Sequence, residues 1–163
     1  MFASDLVACS EALIHSCRAR GIKIAAAESC TGGLIAAVLT DMPGSSDVFE
    51  RGYVTYSNAA KIEMLGVPGP VIDRHGSVSA AVAVAMAEGA LKHSLADISV
   101  AVTGIAGPGG GTAQKRVGLV YIAVQRRSDS ATVQRFNFPA TSRASVRIAS
   151  VREALRLLSE ALA

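Results

Sequence analysis

The chain has no tryptophan, 4% aromatic residues and three cysteines in 163 residues. Each scarcity excludes something. Three Tyr and four Phe offer few flat platforms for stacking bases, which counts against a nucleic-acid-binding surface. Cys9, Cys17 and Cys30 are odd in number and lack paired spacing, so no disulfide framework is expected. Reduced thiols in a cytoplasmic setting are the simpler expectation. No apolar run reaches the roughly eighteen residues of a membrane span. Residues 1–20 lack the apolar core of a signal peptide. His15, His75 and His93 are scattered, and no His/Cys/Asp/Glu cluster has ligand spacing, so no metal is expected; Asp73 and His75 read as a surface pair.

What is present points to a soluble enzyme-sized domain. Half the residues are apolar, mostly Ala, Val, Ile and Leu, and the whole length fits one domain with a core needing no staple. The net charge of +3 is not gathered into a run. It suits a small anionic ligand or an ordinary solvated surface better than nucleic acid.

Periodicity supplies the elements. Leu6, Cys9, Leu13 and Cys17 predict a helix from Ser4 to Arg20, stopped by Gly21. Ile22 to Ala27 reads as a buried strand, followed by a helix over Gly33 to Thr40 and a loop at Met42–Ser46. Phe49 to Ser57 carries β-propensity, and Asn58 is a suitable N-cap for a helix ending at Leu65. Gly66 to Gly76 reads as turns. Ser79 caps an Ala-rich helix to His93, and Ile98 to Thr103 is a third strand. Val117–Gln125 and Ala131–Phe138 form a hairpin. A last helix starts at Thr141 or Ser142, with Val151, Ala154, Leu155 and Leu158 facing inward. This order predicts an α/β fold: a three-layer α/β/α sandwich with a mixed, largely parallel sheet.

Four stretches can carry chemistry. Ser29-Cys30-Thr31-Gly32-Gly33 joins a strand to a helix start, where free amides and the helix dipole hold an anion or simply make a capped turn. Cys30 has no histidine or Cys-x5-Arg partner and reads as a structural thiol. Gly44-Ser45-Ser46, with Tyr56 and Lys61, offers a serine and a base. With Asn58 as N-cap, Lys61 falls at N3, where dipole and burial would both favour a neutral amine. Thr103 to Thr112 is a glycine-rich loop after a buried strand, the usual ligand position in open α/β sheets. Arg143 and Arg147 share one helix face, there to meet a phosphate or an acidic side chain such as Glu50.

These stretches resemble, in order, the CinA C-terminal domain family: Ala27-Glu28-Ser29-Cys30-Thr31-Gly32-Gly33, then Pro43-Gly44-Ser45-Ser46, Gly52-Tyr53-Val54-Thr55-Tyr56-Ser57-Asn58 with Lys61, His75-Gly76-Ser77-Val78-Ser79, and Thr103 to Gly110. The resemblance covers about Ala8 to Leu158. It implies hydrolysis of the carboxamide of nicotinamide mononucleotide, without cofactor or metal, by a Ser-Lys mechanism in a homodimer. It makes Ser46 the nucleophile, Lys61 its base and Tyr56 an assistant. It also places Ser29, Thr31, Gly32, Thr103, Gly104 and Arg143 around the substrate. The choice of Ser46 over Ser45 comes from the resemblance alone. Lys115-Arg116-Val117-Gly118 stands where the family often has Lys-Pro-Val-Gly. The chain is expected to be the stand-alone form, without the molybdopterin-binding-like domain of some members. A non-catalytic nucleotide-binding module is the alternative. DNA association, suggested by the family's name, lacks basic stripes and aromatic platforms to support it.

Overall fold

The computed structural model describes residues 2–163. Its elements are α1 (Ser4–Ala19), β1 (Ile24–Glu28), α2 (Leu34–Thr40), a 3-10 turn (Ser45–Asp47), β2 (Phe49–Val54), α3 (Asn58–Leu65), α4 (Gly69–His75), α5 (Ala80–Lys92), β3 (Ile98–Gly104), β4 (Leu119–Arg126), β5 (Thr132–Asn137) and α6 (Arg143–Ala161). The five strands form one sheet in the order β2-β1-β3-β4-β5. β1 pairs parallel with both β2 and β3. β4 is antiparallel to β3 and to β5, so it alone runs against the other strands.

The period-2 alternation of the strands divides the apolar side chains between two faces. Ile24, Ala26, Val100, Val102, Ile122 and Val124 point to one side, against α1, α2 and α6. Ala25, Ala27, Ala101 and Ala123 point to the other, beneath α3, α4 and α5. The three layers follow. Every residue of β1 is buried, as expected of a central parallel strand covered on both faces. Its alanines leave room for α5 to lie close to the sheet. Packing on that side is tight: a Cβ on Gly89 would lie 2.0 Å from the Leu65 carbonyl.

Several sequence expectations shift. Cys9 is exposed, so the inward stripe of α1 is carried by Leu6, Ser10, Leu13, Ile14 and Cys17 instead. β2 ends at Val54 rather than Ser57, and Ser57 rather than Asn58 caps α3, its hydroxyl accepting from the Ala60 amide at 3.0 Å. Lys61 therefore sits at N4, not N3. Gly66–Gly76 is not all turn: α4 occupies Gly69–His75, with Pro70 in its first turn, where a missing N–H costs nothing. β4 begins at Leu119, because Gly118 turns at φ +95 against the Phe138 carbonyl. Ser79 and Ser142 cap α5 and α6 as expected, and Val151, Ala154, Leu155 and Leu158 are buried.

Candidate active site

The carboxyl ends of β1, β2 and β3 converge on one side of the sheet. Chain connections leave β1 toward β2 over one face and return from β2 to β3 over the other. That reversal makes a crevice at the strand ends. A cavity of about 250 Å³ lies there, lined by Ser29, Cys30, Tyr56, Asn58, Lys61, Ser77, Val78, Thr103, Gly104 to Gly107, Gly109, Gly110 and Arg143.

At its floor, Lys61 reaches out of α3. It is 1% exposed. Its Nζ lies 3.0 Å from Ser29 Oγ and 2.7 Å from the Thr55 carbonyl oxygen. No carboxylate pairs with it among the described residues. Burial therefore lowers its pKa from the ordinary lysine value, since removing water disfavours the charged form. Nζ donates to the Thr55 carbonyl and to Ser29 Oγ; once the amine is neutral, its lone pair can take the Ser29 contact and accept from that hydroxyl. Of the two causes expected from sequence, dipole and burial, burial is the one at work here.

Ser29 owes its place to Glu28, the last residue of β1. The Glu28 carboxylate, 1% exposed, accepts from the amides of Gly33, Ile35 and Ala36 at 3.1, 3.0 and 2.9 Å. Of the two readings of this helix start, an anion site or a capped turn, the structure has the capped turn, closed by the chain's own carboxylate. A ring of contacts completes the geometry: the Thr55 amide donates to the Glu28 carbonyl at 2.8 Å, and the Thr55 carbonyl accepts from Lys61.

The pairing of Ser46 with Lys61 is not found. Ser46 is exposed in the 3-10 turn before β2, whereas Lys61 lies beyond the other end of that strand. Six strand residues separate the two ends by roughly 20 Å. Arg18 of α1 holds the turn there, donating to the Gly44 carbonyl at 2.6 Å. Ser29 takes the position beside the lysine instead. The signal for it was present in the sequence as a strand-to-helix turn, but which serine meets Lys61 is a tertiary fact.

The other expected residues divide. Tyr56, the expected assistant, stands on the rim, 59% exposed, and its hydroxyl accepts from Arg143 Nη2; it makes no hydrogen bond to Ser29 or Lys61. Arg143 also donates to the Gly107 carbonyl at 2.8 Å and has no carboxylate partner among the described residues, Glu50 being paired with Arg51. Thr103 and Gly104 line the pocket, but the Thr103 hydroxyl donates to the Ser77 carbonyl at 2.7 Å. Thr31 is fully buried and Gly32 is exposed; neither forms the pocket wall. Asn58, released from capping, does line it. Cys30 is buried, and desolvation pushes its thiol up to about 11, which fits a structural thiol. Lys115 closes the glycine-rich loop onto the α4–α5 link, donating to the His75 and Val78 carbonyls at 2.6 and 2.8 Å.

No group of three or more His, Cys, Asp or Glu side chains is disposed to hold a metal among the described residues. No helix among them is long and apolar enough to cross a membrane.

An α/β/α sandwich with a polar crevice at the carboxyl ends of its parallel strands is the frame of a small-ligand domain. The chain belongs to the CinA C-terminal domain family, whose model matches residues 7–162. A CinA-like protein of Akkermansia muciniphila is 57% identical over 118 residues, covering 72% of this chain and 28% of that protein. A CinA-like protein of Citrifermentans bemidjiense is 51% identical over 138 residues, covering 85% of this chain and 33% of that one. The chain thus spans about a third of the length of these curated relatives. The crystal structure of competence/damage inducible protein CihA from Agrobacterium tumefaciens superposes with a TM-score of 0.97 at 45% identity, covering 99% of this chain and 98% of that one. A CinA superfamily protein from Klebsiella pneumoniae gives 0.91 at 33% identity, covering 96% and 97%.

Proposed function

We propose that this protein is an amidohydrolase that converts nicotinamide mononucleotide to nicotinate mononucleotide and ammonia, with Ser29 as nucleophile and Lys61 as general base. The CinA family includes amidohydrolases of this substrate. The observation that carries the catalytic assignment is the 3.0 Å approach of a buried, unpaired lysine to a serine hydroxyl in a polar pocket.

The steps balance as follows. Neutral Lys61 takes the Ser29 proton as Oγ bonds to the carboxamide carbon. The carbonyl electron pair moves to oxygen, giving a tetrahedral oxyanion. Lys61 returns the proton to the amide nitrogen, the C–N bond breaks, and ammonia leaves an ester on Ser29. Water, deprotonated by Lys61, attacks that ester, and Ser29 departs with the proton. Arg143, without an acidic partner and beside the rim, is the group for the substrate phosphate. Tyr56 offers a flat face to the pyridine ring. The same proposal takes the enzyme as cytoplasmic and homodimeric. Its buried free thiols, Cys17 and Cys30, fit a reducing compartment.

Ammonia release from nicotinamide mononucleotide tests the proposal. Wild type and Ser46→Ala are expected to be active, and Ser29→Ala and Lys61→Met to lose turnover. Tight nucleotide binding without turnover in the wild type would instead favour a non-catalytic binding module.

A further inference from the structure

The polar side chains around the cavity divide into engaged and free. Ser29 and Lys61 meet each other at 3.0 Å, and Tyr56 and Arg143 meet at the rim. The Thr103 hydroxyl is engaged with the Ser77 carbonyl. Arg147 lies outside, turned onto the Cys30 and Thr31 carbonyls. The Asn58 amide and the Ser77 hydroxyl remain. Both residues line the cavity, and neither side chain makes a hydrogen bond among the described residues. Neither serves as a helix cap: Ser57 caps α3 and Ser79 caps α5.

Both are nonetheless held in place. Asn58 precedes Lys61 by three residues of α3, so the two share a helix face about 4.5 Å apart along the axis. Ser77 lies in the link between α4 and α5, where four successive carbonyls have donors. Those of His75 and Val78 accept from Lys115 Nζ at 2.6 and 2.8 Å. That of Gly76 accepts from Ser79 Oγ at 2.9 Å, and that of Ser77 from Thr103 Oγ1 at 2.7 Å. A link fastened at every carbonyl gives the Ser77 hydroxyl a rigid support.

Position and chemistry then match one part of the substrate. Ser29 and Lys61 form the floor, and Arg143 stands beside Tyr56 at the rim. Asn58 lies between them, one turn from Lys61 and two residues from Tyr56. Ser77 hangs on Thr103, which leaves the sheet alongside Ser29, since Glu28 pairs with Val102 just before them. A mononucleotide with its carboxamide at the floor and its phosphate at the rim lays its ribose across that interval. The ribose diol is neutral, and each hydroxyl both donates and accepts. No carboxylate lines the cavity, although a carboxylate is the usual ribose partner in dinucleotide-binding folds. An Asn amide supplies an acceptor and a donor, and a Ser hydroxyl supplies both.

We infer that Asn58 and Ser77 bind the ribose hydroxyls and so make the enzyme selective for a ribonucleotide. The inference rests on the proposed deamidase reading of the site. It concerns substrate selection, not the chemical step.

The test compares ammonia release from nicotinamide mononucleotide and from its analogue lacking both free ribose hydroxyls. Wild type, Asn58→Ala, Ser77→Ala and the double variant are assayed. Both kcat/KM values scale with the amount of active enzyme, so their ratio cancels any loss of folded protein. Wild type is expected to favour the ribonucleotide by roughly 10- to 100-fold, the effect of two hydrogen bonds. Each single variant should lose part of that preference and the double variant nearly all of it. Turnover of the analogue should stay within about twofold of wild type throughout. A wild type that treats both substrates alike, or variants that lose activity equally on both, would overturn the inference and leave the deamidase reading standing. A wild type that releases no ammonia from nicotinamide mononucleotide would overturn that reading itself, and the ribose assignment with it.

Discussion

Replacing Glu28 by glutamine tests how the nucleophile is held. The carboxylate accepts three amide hydrogen bonds from the first turn of α2 and is 1% exposed. Glutamine has the same length but one acceptor oxygen and an NH₂ group. At least one buried amide then faces a donor. Hydrogen bonds to a charged group contribute about 1.5–3 kcal/mol each, and an orphaned buried donor costs about 1–3 kcal/mol. These losses share one side chain and do not add in full. A destabilisation of about 2–5 kcal/mol is expected. With a urea m-value of about 2 kcal/mol/M, the midpoint should fall by roughly 1–2.5 M. Activity should fall further than the unfolded fraction explains, because Ser29 follows Glu28 directly. Urea denaturation with parallel ammonia assays measures both. A change below about 0.5 kcal/mol, the range of ordinary surface substitutions, would refute the claim that this carboxylate organises the turn.

Three further outcomes follow from the geometry. Burial lowers the Lys61 pKa, so the acid limb of the kcat/KM profile should lie below the ordinary lysine value of about 10.4. Between those two values the unfolded chain binds more protons, so stability should rise with pH; Lys61→Met should flatten that rise in pH-dependent denaturation while abolishing turnover. Arg143→Met should raise KM by about 10- to 100-fold through loss of a charge-assisted phosphate contact, with kcat less affected; an unchanged KM in steady-state kinetics would remove Arg143 from phosphate recognition. Gly89→Ala should destabilise by about 1–3 kcal/mol through overpacking, since its Cβ would meet the Leu65 carbonyl at 2.0 Å; thermal denaturation reads the result.

Much of the fold was legible because it follows local rules. Alternation and short apolar runs mark β1, β3 and β4, and Ser79 and Ser142 announce the starts of α5 and α6. α4 was hidden because Gly69 and Pro70 look like a turn, although proline is at home in a first helical turn. At the site, Lys61 was legible from its place at the start of a helix, where dipole and burial were both expected to disfavour its charge; burial is the cause the structure displays. Ser46 was expected beside it, whereas the structure brings Ser29 there: both serines sit in small-residue loops, and only the parallel pairing of β1 with β2 decides which end of the sheet each occupies. Between an anion site and a capped turn at the start of α2 the sequence left the choice open for a similar reason. Glu28 lies within the strand pattern, and nothing in its spacing tells that the carboxylate folds forward onto the helix.

The most direct measurement is acid-quenched peptide mapping during turnover of nicotinamide mononucleotide. Stopping the reaction early and reading the peptides by mass spectrometry locates the substrate's acyl group. The ester is expected on the peptide containing Ser29 and is expected to be absent from Ser29→Ala. An ester on the peptide containing Ser46, with turnover intact in Ser29→Ala, would contradict the Ser29–Lys61 site.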